Sequence, residues 1–180
     1  YTIMETTKWI IDPAHSEIQF KVKHMMITTV TGTFKEFKSE VETDGDDFST
    51  AKVTFEAATE SVFTNAEQRD AHLRSSDFFD ADNFPVMSFV SSRLGKIDDE
   101  TWQLRGDLTI RGVTKPVKLD VEFGGIGKDP WGNTKAGFSL NGKINRKEWG
   151  LNRNATLEAG GVLVSDDVRI YAEVQYAKQA

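Results

Sequence analysis

Three side chains able to share chemistry stand within four positions of one another: the guanidinium of Arg69, the carboxylate of Asp70 and the imidazole of His72. Such a trio can hold an anion, exchange a proton, or simply pair internally. The stretch around it runs Thr64-Asn65-Ala66-Glu67-Gln68-Arg69-Asp70-Ala71-His72-Leu73-Arg74-Ser75-Ser76-Asp77-Phe78-Phe79. Thr64 followed by Glu67 has capping-box spacing. Most residues from Ala66 to Arg74 favour helix, and no Gly or Pro intervenes before Pro85. The pattern predicts a short helix near residues 65–76, about three turns at most. On it Arg69 and His72 share a side, while Asp70 is rotated by roughly 100° from Arg69. The competing reading is a plug whose charges face water, with Arg69 and Asp70 paired to pin it.

Other chemistries find less support. The protein has three histidines and no cysteine, so disulfides, thiol catalysis and Cys-ligated metals are excluded. Asp12, His15, His24 and His72 are the only histidine-based metal set. They lack helical i, i+4 spacing, and no Asp-rich calcium loop appears, so no metal site is expected. His15-Ser16 stands outside any Gly-x-Ser-x-Gly elbow. Gly125-Ile126-Gly127 opens no helix and reads as part of a Gly-rich loop from Gly124 to Gly132, not a phosphate cradle. A net charge of −6 and a pI near 5.1 argue against a general nucleic-acid or anionic-membrane surface. No apolar run approaches the ~20 residues of a membrane span, and no signal peptide is visible.

The elements that must position the trio are strands. Ile18, Phe20, Val22 and His24 alternate with Glu17, Gln19, Lys21 and Lys23. Val30, Gly32 and Phe34 continue that style, with Gly32 read as a bulge or bend. Val53, Phe55 and Ala57 point inward before the helix, and Met87 and Phe89 after it. Trp102, Leu104, Gly106, Leu108 and Ile110 give the clearest alternation. Val117, Leu119, Val121 and Phe123 follow, then Ala136, Phe138, Leu140, Gly142, Ile144 and Arg146. Val168, Ile170, Ala172, Val174 and Tyr176 close the series. Roughly eight strands, each with one wet and one dry face, suit an antiparallel sheet. A sandwich or an up-and-down barrel would satisfy the pattern. Small inward residues (Gly32, Gly106, Gly142, Ala57, Ala136, Ala172) favour a barrel whose interior is not wholly filled. No linker or internal repeat divides the 180 residues, so one domain is expected.

Several blocks together resemble the YceI-like family. They are Asp12-Pro13-Ala14-His15-Ser16-x-Ile18-x-Phe20, Val30-x-Gly32-x-Phe34, Arg69-Asp70-x-His72-Leu73-x-Ser75-x-Asp77-Phe78-Phe79, Pro85, Gly106-x-Leu108-Thr109-Ile110-x-Gly112-Val113-Thr114-Lys115-Pro116 and Arg146-x-x-x-Gly150. The resemblance covers Trp9 to Tyr176. It implies an all-β, lipocalin-like antiparallel eight-stranded barrel, often a homodimer, whose elongated cavity binds a polyisoprenoid such as a polyprenyl phosphate or an isoprenoid quinone. Residues 9–180 would form that domain and residues 1–8 an N-terminal extension. Met4 would be the native start if Tyr1-Thr2-Ile3 are a cloning remnant, giving a cytoplasmic protein. Many family members are periplasmic, which is the alternative if a signal peptide is absent from this chain.

On this reading the function is non-catalytic binding, storage or transport of the lipid. No cofactor is required, and neither nucleic acid nor a membrane span is involved. The tail would lie against Ile18, Phe20, Val22, Phe34, Phe55, Phe89, Leu104, Gly106, Leu108, Leu119, Val121, Phe138 and Leu140. Arg69, His72, His24 and Arg146 would meet the head group, and Asp70 would orient the helix. The alternatives are an enzyme acting on an isoprenoid lipid, with His72 and Asp70 as acid and base, and a structural stress-response module.

Overall fold

A computed structural model describes residues 5–25, 27–152 and 164–180. Tyr1–Met4 and Gly160-Gly161 lie outside them. The chain runs β1 (Thr6–Ile11), β2 (Glu17–His24), β3 (Thr28–Phe34), β4 (Phe37–Asp44), β5 (Asp47–Ala58), β6 (Val62–Phe63), α1 (Glu67–Arg74), β7 (Val86–Lys96), β8 (Thr101–Ile110), β9 (Val113–Lys128), β10 (Thr134–Asn145) and β11 (Asp167–Lys178). The pairings described are antiparallel and close into an eight-stranded barrel. Eleven strands make eight wall positions because β1 and β2 share one, β4 and β3 a second, and β5 and the two-residue β6 a third. β1 and β2 lie end to end along β11, through Ile11 opposite Tyr176 and Glu17 opposite Glu173. β4 and β3 follow them in the same way. β6 adds only two pairs to the edge of β3. Because β1 begins at Thr6, with Thr6 to Lys8 paired to β4, the barrel reaches back into the stretch expected to be an extension.

The break between β1 and β2 follows from Asp12-Pro13. Proline cannot donate to a ladder, and its fixed φ suits the first position of a tight turn. A short 3-10 turn, Pro13–His15, forms there, with the Asp12 carboxylate accepting from the Ala14 amide at 3.1 Å. The same carboxylate holds Lys135 Nζ of β10 at 2.7 Å and His15 Nδ1 at 2.8 Å. These partners, Lys135 foremost, draw the Asp12 pKa from the ordinary 3.8 down to about 2.

Side chains do not fill the barrel evenly. At one end Trp9, Phe48, Phe123, Phe138 and Tyr176 form an aromatic cluster with ring centroids 5.1 to 6.2 Å apart. The buried Trp9 indole donates to Thr43 Oγ1 at 3.0 Å. Burial of such rings contributes strongly to stability, about 25 cal/mol per Å² of apolar surface. Beyond this cluster, aliphatic residues and further phenylalanines line a cavity that is not packed shut.

The glycines play a different part from the one expected. Gly32 stays in register opposite Phe20, with no bulge, and a Cβ there would fall 2.2 Å from the Phe20 ring. A Cβ on Gly106 would meet the Val90 carbonyl oxygen at 2.4 Å and the Phe89 ring at 2.5 Å, and one on Gly142 would meet Leu119 at 2.4 Å. Each glycine is a slot already occupied by a neighbour's large side chain. The expected Gly-rich loop is also mostly strand, since β9 extends through Lys128 and Gly125 (φ +105°) sits opposite an irregularity at Gly137/Phe138.

Two expectations can be measured. Gly106→Ala forces a backbone oxygen to move and should cost ~1–3 kcal/mol in denaturant unfolding, whereas Gly127→Ala, with nothing within 4 Å of its Cβ, should cost far less. Because the folded pKa of Asp12 is depressed, its contribution is present above the ordinary 3.8 and fades as pH falls toward about 2. The stability gap between the wild type and Asp12→Asn should therefore shrink over that window in urea titrations at successive pH values.

Candidate functional site

The open half of the barrel encloses a cavity of about 810 Å³. Its wall is made by the inward phase of the strands. Of the residues expected to line it, Ile18, Phe20, Val22, Phe34, Phe55, Phe89, Leu104, Leu108, Leu119 and Leu140 do so. Gly106, Val121 and Phe138 do not. Gly106 is covered by the Phe89 ring, Phe138 is stacked on Phe123, and Val121 is buried within the core. The alternation is right for all three, but alternation gives the face and not the depth. The same alternation marks Ile144, Val168 and Ile170 at the upper wall, which also line the cavity.

One polar pair in the wall was not anticipated. Ser39, on the inward face of β4, donates to the Thr54 carbonyl at 2.6 Å and lies 2.8 Å from the Tyr176 hydroxyl. Both residues line the cavity where it meets the aromatic cluster. Burial pushes the Tyr176 phenol up to about 12. The phenol is neutral at physiological pH.

At the other end of the cavity lies the segment carrying the Arg-Asp-x-His trio. The helix is Glu67–Arg74, shorter than expected, and its N-cap is Ala66, without a side-chain cap. Thr64 and Glu67 form no capping box. Asp70, buried among polar partners, reaches back instead: its Oδ1 accepts from the Thr64 amide at 2.8 Å and the Thr64 hydroxyl at 2.5 Å. Arg69 completes the lock, donating from Nε to Thr64 Oγ1 at 2.7 Å and from Nη2 to Thr64 O at 2.5 Å. Thr64 thus engages both charged neighbours through its backbone and hydroxyl. Asn65 takes the left-handed conformation (φ 64°) that this tight loop needs.

His72 has its own partner. Its Nε2 is 3.0 Å from Asp77 Oδ2, and its ring stands edge-on to Phe78 at 5.0 Å. Positions two apart on a helix are turned by roughly 200°, so His72 and Asp70 do not converge on a common point. Arg69, His72, His24 and Arg146 all border the cavity. Arg146, buried at the start of a 3-10 turn, gives its guanidinium to the carbonyls of Leu151, Ser165 and Val164. Burial draws its pKa down and Asp166, 3.9 Å away, works against that. Among the described residues, no cluster of three or more His, Asp or Glu is placed to hold a metal ion. No helix there is long and apolar enough to cross a membrane, which says nothing of a β-barrel.

An antiparallel eight-stranded barrel with an apolar cavity defines the lipocalin-like class. Within it, the chain belongs to the family of the YceI-like domain, whose model matches residues 9–176. A UPF0312 protein of Staphylococcus epidermidis is 40% identical over 172 residues, spanning 95% of this chain and 98% of that one. The crystal structure of a Campylobacter jejuni YCEI protein superposes with a TM-score of 0.76 at 35% identity, covering 100% of this chain and 98% of the other. A polyisoprenoid binding domain from Saccharophagus degradans, implicated in plant cell wall breakdown, shares the fold at a TM-score of 0.66 and 13% identity, over 98% and 100% of the two chains.

The Thr64 lock is open to a direct check. Asp70→Ala leaves the Thr64 amide and hydroxyl without their buried acceptor and should cost ~1–3 kcal/mol. Asp70→Asn, which keeps an acceptor oxygen, should cost less in the same thermal and urea unfolding experiments.

Proposed function

We propose that the barrel binds a polyisoprenoid lipid, a polyprenyl phosphate or an isoprenoid quinone, and stores or carries it without chemical change. The observation that carries the reading is the cavity. At about 810 Å³ it lies within the ~300–1,000 Å³ range of small-molecule sites. Its wall is aliphatic and aromatic over most of its length, with polar groups gathered near the α1 segment and at the Ser39–Tyr176 pair. Membership of the YceI-like family and the shared fold with a polyisoprenoid binding domain point the same way.

Affinity on this reading comes from the tail. Each isoprene unit moved from water into the cavity contributes roughly 3–4 kcal/mol, at about 0.8 kcal/mol per carbon. A few units offset the cost of ordering the chain. The head group then needs only register. Arg69, with donors to spare beyond those bonded to Thr64, suits an anionic head, and His72 or His24 suits a quinone carbonyl. Arg146 acts on the head through its charge, its N–H groups being directed at backbone carbonyls. Acid–base catalysis by His72 and Asp70 has no geometric support, because each is bonded away from the other. In the same reading the protein works as a homodimer, which light scattering measures directly.

The test is organic extraction of the purified protein followed by mass spectrometry. A stoichiometric isoprenoid is expected in the wild type and in the outward-facing variant Arg105→Ala. Ala172→Trp should fill the cavity from β11, keep the protein folded by circular dichroism, and lose most of the load. A folded Ala172→Trp protein that retains its full complement of lipid would sink the assignment of this cavity.

A further inference from the structure

The ladder between two wall positions of the barrel is interrupted. β1 and β4 pair as far as Ile10 opposite Glu40, and β2 and β3 resume at Gln19 opposite Thr33. Among the described residues no register pair joins residues 11–18 to residues 34–39. Measured along β11, the interval runs from Ala177, opposite Ile10, to Tyr171, opposite Gln19. That is about 20 Å at the rise of a strand. Each lip of the gap is tied on its far side. The Asp12 amide donates to Gln175 O at 2.8 Å, and the Gln175 amide donates to Ser16 Oγ at 3.0 Å. Across the gap, the Lys35 amide donates to Ser61 O at 3.1 Å and the Ala58 amide to Glu36 O at 3.0 Å.

A groove of about 450 Å³ lies in this gap, lined in part by Pro13, Ala14, Phe34 and Phe37. Phe34 and Phe37 belong to the inward phase of their strands, two residues from Gly32 and Ser39. The groove therefore reaches through the wall to side chains that face the interior. Phe34 is the one described residue that lines both the groove and the cavity. Its ring is 5% exposed and packs against those of Phe20 at 5.6 Å and Phe79 at 5.7 Å. A single aromatic ring stands between the two spaces.

We propose that the groove is a second subsite, which takes the hydrocarbon end of an isoprenoid too long for the interior. The inference rests on the reading of the cavity as a lipid site. At roughly 30 Å³ per carbon, the share of liquid volume that a water takes, a chain of about ten isoprene units fills on the order of 1,500 Å³. The cavity of about 810 Å³ holds about half of that. The head meets the α1 end, where Gln68 and Arg69 are exposed and border the cavity. The far end passes Phe34 once that ring turns aside, and covers Phe37, Pro13 and Ala14 outside. Charge decides which end arrives there. Glu17 and Glu173 lie directly opposite each other beside the groove and repel an anionic head, while their aliphatic stems tolerate a hydrocarbon.

The experiment compares farnesyl phosphate with undecaprenyl phosphate on the full chain. The protein has no cysteine, so Ala14→Cys carries a bulky polar maleimide at one defined place in the groove. That adduct should weaken undecaprenyl phosphate about tenfold or more, the equivalent of ~1.4 kcal/mol, and leave farnesyl phosphate unchanged. The same adduct on the outward-facing Arg105→Cys should change neither, and on Gln68→Cys it should weaken both. Undecaprenyl phosphate with a diazirine on its terminal isoprene should photolabel residues 13–17 and 35–37, and Phe34→Leu should raise that labelling several-fold. Circular dichroism is recorded for every protein. Terminal label confined to the interior or to α1 overturns the subsite while the cavity reading stands. Equal loss of both phosphates in the Ala14→Cys adduct also overturns it, as a disturbance of the barrel. Failure of wild type to bind either phosphate overturns the cavity reading, and the subsite with it.

Discussion

The interior exists because one strand pairs with two. β11 meets β1 through Ile11 and Tyr176 and meets β2 through Glu17 and Glu173, so the sheet has no free seam there. An open sheet of this length would expose its dry face or its edges. Closure instead turns every inward side chain toward a common axis. The turn at Pro13 lets the wall bend without losing that pairing, and the Asp12–Lys135 contact fastens the bend to β10. An acid and a base brought together on the wall thereby serve a hydrophobic purpose.

Given closure, the distribution of ring and branched side chains decides what the interior can hold. Aromatic residues crowd the end near Trp9 and Phe48, where rings interlock at close centroid distances. Elsewhere aliphatic residues and further rings, Phe20, Phe34, Phe55 and Phe89 among them, line the interior and stop short of filling it. The glycines let rings lie flat against the wall, as Phe89 does over Gly106. Space is left by the position of the large residues, not by the presence of small ones.

That distinction explains what was legible in the sequence. Strand identity and facing came directly from alternation, because a period of two is local and strong. Ile18, Phe20, Leu104 and Leu108 line the cavity for that reason. Depth along the barrel axis is not local. It depends on strand tilt and pairing register, so Phe138 and Val121 looked identical to Leu140 and Leu119. Ser39 went unnoticed because a serine on a strand carries no signal until its partner, 137 positions away, is known. The helix was anticipated from propensity, but its cap was misassigned. Capping-box spacing pointed to Glu67, and the loop geometry at Asn65 brought Asp70 to Thr64 instead.

The Ser39–Tyr176 pair also fixes a direction. A serine hydroxyl has one proton, and that of Ser39 is directed to the Thr54 carbonyl. The contact with Tyr176 must then be made by the phenol's proton. Tyr176 keeps only lone pairs on its oxygen, and both residues line the cavity. The inner end of the cavity is therefore a proton acceptor with nothing to donate. A carbonyl or phosphoryl oxygen arriving there would meet another lone pair, while a hydrocarbon end would merely leave the phenol oxygen as it is. The chamber has a polarity along its axis, set by the destination of a single hydroxyl hydrogen, and an amphiphile within it has a preferred way round.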